Sequence, residues 1–181
     1  MHWAERLKQA VRRGWQFLHY VGAYLVPLDD GEAQRLLSEE AYALFCAMSR
    51  GDRLHALCVL HYLQQRMQVP NELAQAALLH DVGKAGGRLK LFHRVVAALL
   101  QDLDEAWLHR LADADPRGRG YPFYIHLHHA EIGAARCAAV GCPLATVMLV
   151  RYHEDHEAAS QKLDPSLWGW LQALEEADEH C

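Results

Sequence analysis

The chain has 181 residues, with 18 basic and 23 acidic side chains and a formal net charge of -5. Apolar residues make up 51% and charged residues 23%, which excludes a disordered chain and predicts one domain with a real core. A net acidic chain with no long Lys/Arg run is a poor polyanion binder, so no nucleic acid polymer is expected as a partner. The five cysteines, Cys46, Cys58, Cys137, Cys142 and Cys181, are odd in number and contain no CxxC pair. They read as buried thiols of a reducing cytosol, not a disulfide framework, and a cytoplasmic location is expected. The 13 histidines are the outlier. Histidine is costly to bury unpaired and is the commonest metal ligand.

Lys8, Arg12 and Arg13 precede an apolar run from Gly14 to Leu28. Gln16 and His19 interrupt it, no small-x-small cleavage pattern follows, and it is shorter than the roughly 20 apolar residues that span a bilayer. Trp15, Leu18, Gly22 and Leu25 or Val26 recur at helical spacing. Residues 1–30 are therefore expected to form an amphipathic helix that packs on the body or mediates a homo-oligomer contact. Peripheral contact with a membrane surface is the alternative.

Pro27 and Gly31 separate this segment from a helix near Glu32 to Met48. Gly51-Asp52 begins the next, with Asp52 as its expected N-cap. There Ala56, Val59, Leu60, Leu63 and Met67 make an apolar helical stripe. A further helix starts at Pro70-Asn71, with Asn71 as N-cap, and ends at Gly83. Arg88 to Leu111 reads as one long helix or two short ones. Asp113 to Tyr124, with Pro116, Gly118, Gly120 and Pro122, reads as a loop. Helices resume from about His126 to Val140, from Pro143 to about His156, and from Pro165 onward, with Pro143 and Pro165 suited to first-turn positions. No stretch alternates as a strand does. The expected fold is all-α, with residues 31–181 as the functional domain.

Certain histidines and aspartates fall on the apolar faces of these helices. His55 lies one position from its stripe. His80 and Asp81 continue the series Leu73, Ala76, Ala77. His129 shares a face with Ile132 and Gly133, His153 follows Thr146, Leu149 and Val150, and Asp178 continues Leu167, Leu171, Leu174. Burying such groups unpaired costs several kcal/mol each by water-to-apolar transfer estimates, roughly 2–7 for a neutral polar group and far more for a charge. A metal removes that cost. Neutral imidazole and carboxylate suit divalent Mn, Fe, Co, Ni or Zn, and a carboxylate between imidazole sets can bridge two ions about 3.5–4 Å apart.

The stretch Ala76-Ala77-Leu78-Leu79-His80-Asp81-Val82-Gly83-Lys84 resembles the signature of the HD-domain superfamily of metal-dependent phosphohydrolases. Asp52-Arg53-Leu54-His55 is similar to that family's first metal histidine. His129-Ala130-Glu131-Ile132-Gly133-Ala134 is similar to its His-x-x-x-Gly element, Arg151-Tyr152-His153-Glu154 to its next histidine, and Ala177-Asp178 to its terminal aspartate. The likeness covers roughly residues 36 to 179, and the ordered set is far more specific than the His-Asp pair alone. It implies an HD-like helical bundle with ligands from five helices around a dimetal site. In it His55, His80, Asp81 and Asp178 hold one divalent transition metal ion, Asp81 bridges, and His129 and His153 hold the second. It also implies that Lys84 faces a small phosphorylated substrate, with Asp81 and Lys84 as the catalytic residues.

Arg88, Lys90, His93 and Arg94 form a basic stretch that either lines the substrate cleft, with Arg88 as a phosphate contact, or is an outer helix face. Gly120-Tyr121-Pro122 invites comparison with the HD-GYP branch, which hydrolyses cyclic di-GMP. There the triplet follows the His-His-Glu element; here it precedes His129, and Tyr152 replaces the first histidine of the pair. The triplet is read as turn chemistry. His126 and His128 are alternative ligands to His129, and Glu154 and Asp155 either orient ligands or are solvated. Trp168 and Trp170 either pack or form an interface. Three functions fit. The first is hydrolysis of a phosphate ester, of the nucleotide or cyclic-nucleotide class, by dimetal-activated water. The others are di-iron oxygenase chemistry, since such oxygenases share the ligand order, and a non-catalytic metal-binding module.

Overall fold

The helix expected from Glu32 to Met48 is two helices, α1 (Gly31–Leu36) and α2 (Glu39–Cys46), in a computed structural model that describes residues 27–87, 93, 96–97 and 105–181. The break is chemical. Ser38 takes an extended backbone and its hydroxyl accepts from the Ala41 amide, with Glu39 and Glu40 in the first turn it caps. The same device starts α3 (Arg50–Gln64). Ser49, not Asp52, is the N-cap: its hydroxyl accepts from the Asp52 amide and donates to Asp52 Oδ2 at 2.7 Å. The cap moves because serine stands three residues before an acid, a reciprocal pairing that Asp52 alone cannot make.

α4 (Asn71–Leu79) follows Pro70, which takes the N-cap place expected for Asn71. Leu73, Ala74, Ala76, Ala77, Leu78 and Leu79 are all buried, so α4 is a central helix wrapped on most sides. It packs against α3, α7 (Leu144–Tyr152) and α9 (Trp168–His180), with α1 and α2 across one flank. The Thr146 hydroxyl ties α7 to α4 by donating to the Glu72 carbonyl. The helix stops at Leu79, short of Gly83, and a 3-10 turn, Val82–Lys84, follows.

α5 (Glu105–Leu111) precedes α6 (Tyr121–Ala139). α6 begins within the segment expected to be loop: Gly120 is its N-cap and Pro122 sits in its first turn, so Gly120-Tyr121-Pro122 is helix-start chemistry. α6 ends before Gly141, whose φ of 76° no β-carbon tolerates well. α6 lies against both α7 and the 3-10 turn. Its approach to the turn is close because Gly83 has no side chain; a β-carbon there would run into the His129 backbone. Gly133 of α6 in turn faces Gly83, Val82 and Val150. After α7 come the short α8 (His156–Lys162), begun by Asp155 as N-cap, and a 3-10 turn, Pro165–Leu167, leading into α9. Pro143 is an N-cap residue and not in the first turn.

Among the described residues every element is helical and no strand occurs. Nor is any described helix long and apolar enough to cross a membrane. The expected N-terminal helix before Pro27, and Arg88, Lys90 and Arg94, lie outside the described residues. His93 sets its ring edge against Phe123, in a small second core with Ala97 and Leu108.

The cysteines differ from expectation. Cys58 of α3 and Cys181, the C-cap of α9, form a disulfide across 123 residues of sequence. Cys46 is exposed, Cys142 half-buried and only Cys137 is a buried thiol. An odd count and absent CxxC say nothing about partners that helix packing brings together from far apart, and the pairing removes the thiol argument for a reducing compartment.

Candidate metal centre

The site is assembled where α4 ends. His80 is the C-cap of α4 and Asp81 the N-cap of the following 3-10 turn, which finishes at Lys84. His129 stands in the middle of α6, His153 is the C-cap of α7, His55 is in the second turn of α3, and Asp178 is in the last turn of α9. All seven of these residues are brought together. The donor atoms of His55, His80 and Asp178 lie within 4.8 Å of one another, and so do those of Asp81, His129 and His153. The imidazoles run edge to face from His55 to His80 to His153 to His129, with 5.3 Å between successive ring centroids. Asp81 stands between the two triads, its Oδ1 3.8 Å from His80 Nε2 and 3.5 Å from His129 Nε2.

The histidine tautomers follow from the helices. Nδ1 of His80, His129 and His153 each donates to the carbonyl three residues back, those of Ala77, His126 and Val150, at 2.8 to 2.9 Å. A carbonyl can only accept, so Nδ1 carries the proton and Nε2 faces the shared space. Nε2 of His80 and Nε2 of His129 are buried without a hydrogen-bond partner. An orphaned buried polar atom costs about 1–3 kcal/mol, so two side by side call for a ligand.

Charge is unevenly arranged. Burial opposes a proton on His80, but Asp81 and Asp178 outweigh it and lift this histidine to about 9. At 3.5 Å the Asp178 carboxylate is in ion-pair range of His80 Nε2 without a well-formed hydrogen bond. Burial and then the Lys84 charge hold His129 well below its usual range, and burial and then His80 lower His153 to about 4. Burial would raise Asp81, but Lys84, His80 and His129 hold it well below the carboxylate range. Asp178 is likewise held low against burial, by its hydrogen bond to His55 and the nearby charge of His80. Two carboxylates kept ionised beside the neutral imidazoles of His129 and His153, whose Nε2 lone pairs face inward, are a donor set for a divalent cation, and Asp81, His129 and His153 can hold one.

Comparison with protein-family models, curated proteins and solved structures finds no match to this chain. The chemistry has to be read from the donors themselves.

Lys84 is not a solvated helix-end lysine: its Nζ sits 2.6 Å from Asp81 Oδ1. Arg136 of α6 pins the turn behind it, donating to the Val82 carbonyl at 2.7 Å and the Ala85 carbonyl at 3.1 Å. Sequence reasoning missed Arg136, since an arginine on a helix gives no sign that it will cap another element. Of the two acids left open after His153, Glu154 turns inward, its Oε2 3.4 Å from His129 Nε2. Burial pushes it up to about 7, although half the side chain still meets solvent. Asp155 faces outward and caps α8. His129 reaches Asp81, whereas His128 pairs with Glu131 and stacks on Tyr124. His126 lends its carbonyl to His129 Nδ1, and His156 lies on Trp168 beside Glu175. Trp168 and Trp170 pack against the main core.

Proposed function

We propose that the chain is an HD-type metal-dependent phosphohydrolase or phosphodiesterase with a dimetal centre. One observation carries the reading: six His and Asp donors fall into two adjoining triads around Asp81, with histidine Nε2 atoms orphaned toward the common space. His55, His80 and Asp178 would hold one divalent ion and Asp81, His129 and His153 the other, with Asp81 shared and Glu154 within reach of the second. When bound, such ions supply Lewis acidity and lower the pKa of a bound water toward neutrality.

The protein's own groups have distinct tasks in this reading. Asp81 holds negative charge between the triads and keeps them at one spacing. Lys84 presents a point charge at the mouth of the site, suited to a phosphoryl oxygen and to the charge that develops on it. The carbonyls of Ala77, His126 and Val150 hold three imidazoles with Nε2 turned inward, so loading needs no ring reorientation, although His80 must give up its Nε2 proton to ligate. Gly83 and Arg136 fix the turn that carries Asp81 and Lys84 against α6.

The test is metal content and turnover together. Protein purified without chelator is expected to carry about two equivalents of transition metal by elemental analysis, largely lost in Asp81→Ala. With manganese added, the wild type is expected to hydrolyse an activated phosphodiester or monoester such as a p-nitrophenyl phosphate, and Asp81→Ala is not. Stoichiometric iron with an absorption change on exposure to oxygen, and no phosphatase activity, would replace this reading with oxygenase chemistry. No bound metal after adding manganese, iron or zinc would leave a helical binding module.

A further inference from the structure

The Cys58–Cys181 disulfide and the His55–Asp178 contact join the same two helices, in step. Cys58 follows His55 by three residues in α3, and Cys181 follows Asp178 by three at the end of α9. His55 Nε2 lies 2.7 Å from Asp178 Oδ1. Asp178 occupies the last helical turn, where backbone carbonyls lack partners and helices fray. Tyr62 adds a second strap, stacking on His180 at 4.7 Å and donating to Glu176 at 3.0 Å, but both contacts are to exposed side chains. No comparable covalent tie touches Asp81, His129 or His153, which α6, α7 and the turn after α4 hold by close packing among the described residues.

We propose that the Cys58–Cys181 pair is a reversible thiol–disulfide site that controls occupancy of the His55–His80–Asp178 half of the metal centre and leaves the other half alone. This rests on the metal-centre reading above. Cys58 is exposed and lines an open cavity of about 460 Å³ with Leu54, Leu57 and His61, which gives a reductant access. The reductant is a dithiol. Its thiolate attacks Cys58 Sγ, the Cys58–Cys181 bond breaks, and the Cys181 thiolate leaves and takes a proton from solvent. The second thiol of the reductant then attacks the mixed disulfide and releases the Cys58 thiol. The protein gains two electrons and two protons, and the dithiol becomes a disulfide. Released, the last turn of α9 frays, and Asp178 is no longer held over His55 and His80.

The experiment titrates Mn(II), counting free ion by electron paramagnetic resonance, into three samples. These are the aerobically purified protein, the same protein reduced with dithiothreitol and desalted without oxygen, and Cys58→Ser/Cys181→Ser. Alkylation and intact mass confirm the bond, and far-UV circular dichroism confirms the helices. The oxidised protein is expected to bind two Mn(II). In the other two samples one site keeps its affinity and the second weakens on the order of tenfold or more, the loss seen when groups behind metal ligands are removed. Equal binding in all three samples overturns the redox coupling and leaves the metal centre standing. Loss of both sites together with the helical signal, or absence of the disulfide from the oxidised protein, also overturns it. No Mn(II) bound by the oxidised protein overturns the metal reading, and this proposal with it.

Discussion

The two triads of the centre are built on opposite principles. Asp81, His129 and His153 are sealed, with side chains at 4% and 0% exposure for the first two and His153 at 6% overall. His55 and Asp178 are 25% and 36% exposed, and His80 is the one buried member of its triad. The inner triad is held by a helix packed on a glycine and by an arginine clamp. The outer one is held by a disulfide and a helix end. The inner histidines are kept neutral, whereas the carboxylates around His80 favour a positive charge on it. On the reading proposed above, one half of the centre is thus pre-formed and the other adjustable. Every experiment that separates them tests whether the division is real.

The largest separation is expected at Gly83. A β-carbon there meets the main chain of His129, which cannot swing aside as a side-chain tip can. Gly83→Ala should cost about 3 kcal/mol or more, the upper range for overpacking. It should disable the inner triad while the His55–Asp178 contact persists. Gly133→Ala is the control. Its β-carbon would approach the Gly83 nitrogen and a Val150 methyl at 3.2 Å each, which calls for a small shift and a smaller loss. Urea denaturation checks both, and equal costs would mean that the turn is not pinned against α6.

Next in size is the exchange of a histidine for an isosteric apolar residue. His129 is fully buried with an orphaned Nε2 and one hydrogen bond, from Nδ1 to the His126 carbonyl, so in metal-free protein His129→Leu removes an unpaired polar atom at the expense of that one bond. It should leave metal-free stability unchanged or raise it, by no more than about 1–3 kcal/mol. It should abolish the metal-dependent rise in Tm at the inner site. His55→Leu breaks a 2.7 Å contact to a carboxylate and should lower metal-free stability slightly while sparing the inner site. A histidine kept only for packing would show the reverse at 129, a loss of stability without metal. Thermal melts with and without manganese decide between them.

How much of this centre was legible in the sequence depended on locality. His80-Asp81, His129, His153 and Asp178 were found because each sits on an apolar stripe, and a stripe reports which face of a helix is inward. The same logic placed the helices but not their starts, because Ser38 and Ser49 act through hydroxyl hydrogen bonds that periodicity does not register. Glu154 was legible only as one of two open readings, ligand-orienting or solvated, and the disulfide and the Arg136 clamp were not legible. Each depends on which helices meet, and partners 123 or 54 residues apart leave no local trace. The Gly83 approach was half visible: a glycine after His-Asp was in view, the α6 backbone it makes room for was not.

Chelation kinetics read the same division in a gentler way. With manganese loaded, an added chelator should remove the outer ion in a fast phase and the inner ion in a slow one, since the inner donors open only when α6 or α7 moves. A single phase accounting for both ions would mean that the two sites empty as one unit, and the contrast in burial would have no kinetic consequence.

The smallest effect concerns a thiol and needs no metal at the outset. Cys137 lies two turns beyond His129 on the same helix, and burial pushes its thiol up to about 12, with Cys142 beside it adding to the rise. The thiolate is the reactive form, so at pH 8 Cys137 should resist alkylation while the exposed Cys46 reacts. Labelling of Cys137 then requires α6 to open, and its rate reports the stability of the inner wall. Loading the inner site should slow that rate, because an ion held by Asp81, His129 and His153 would link three elements. Reducing Cys58–Cys181 should leave it unchanged. Mass spectrometry of alkylated peptides measures both. If reduction speeds Cys137 labelling as much as metal removal does, then α6 and α9 loosen together, and the pre-formed half owes its rigidity to the clamp on the adjustable one.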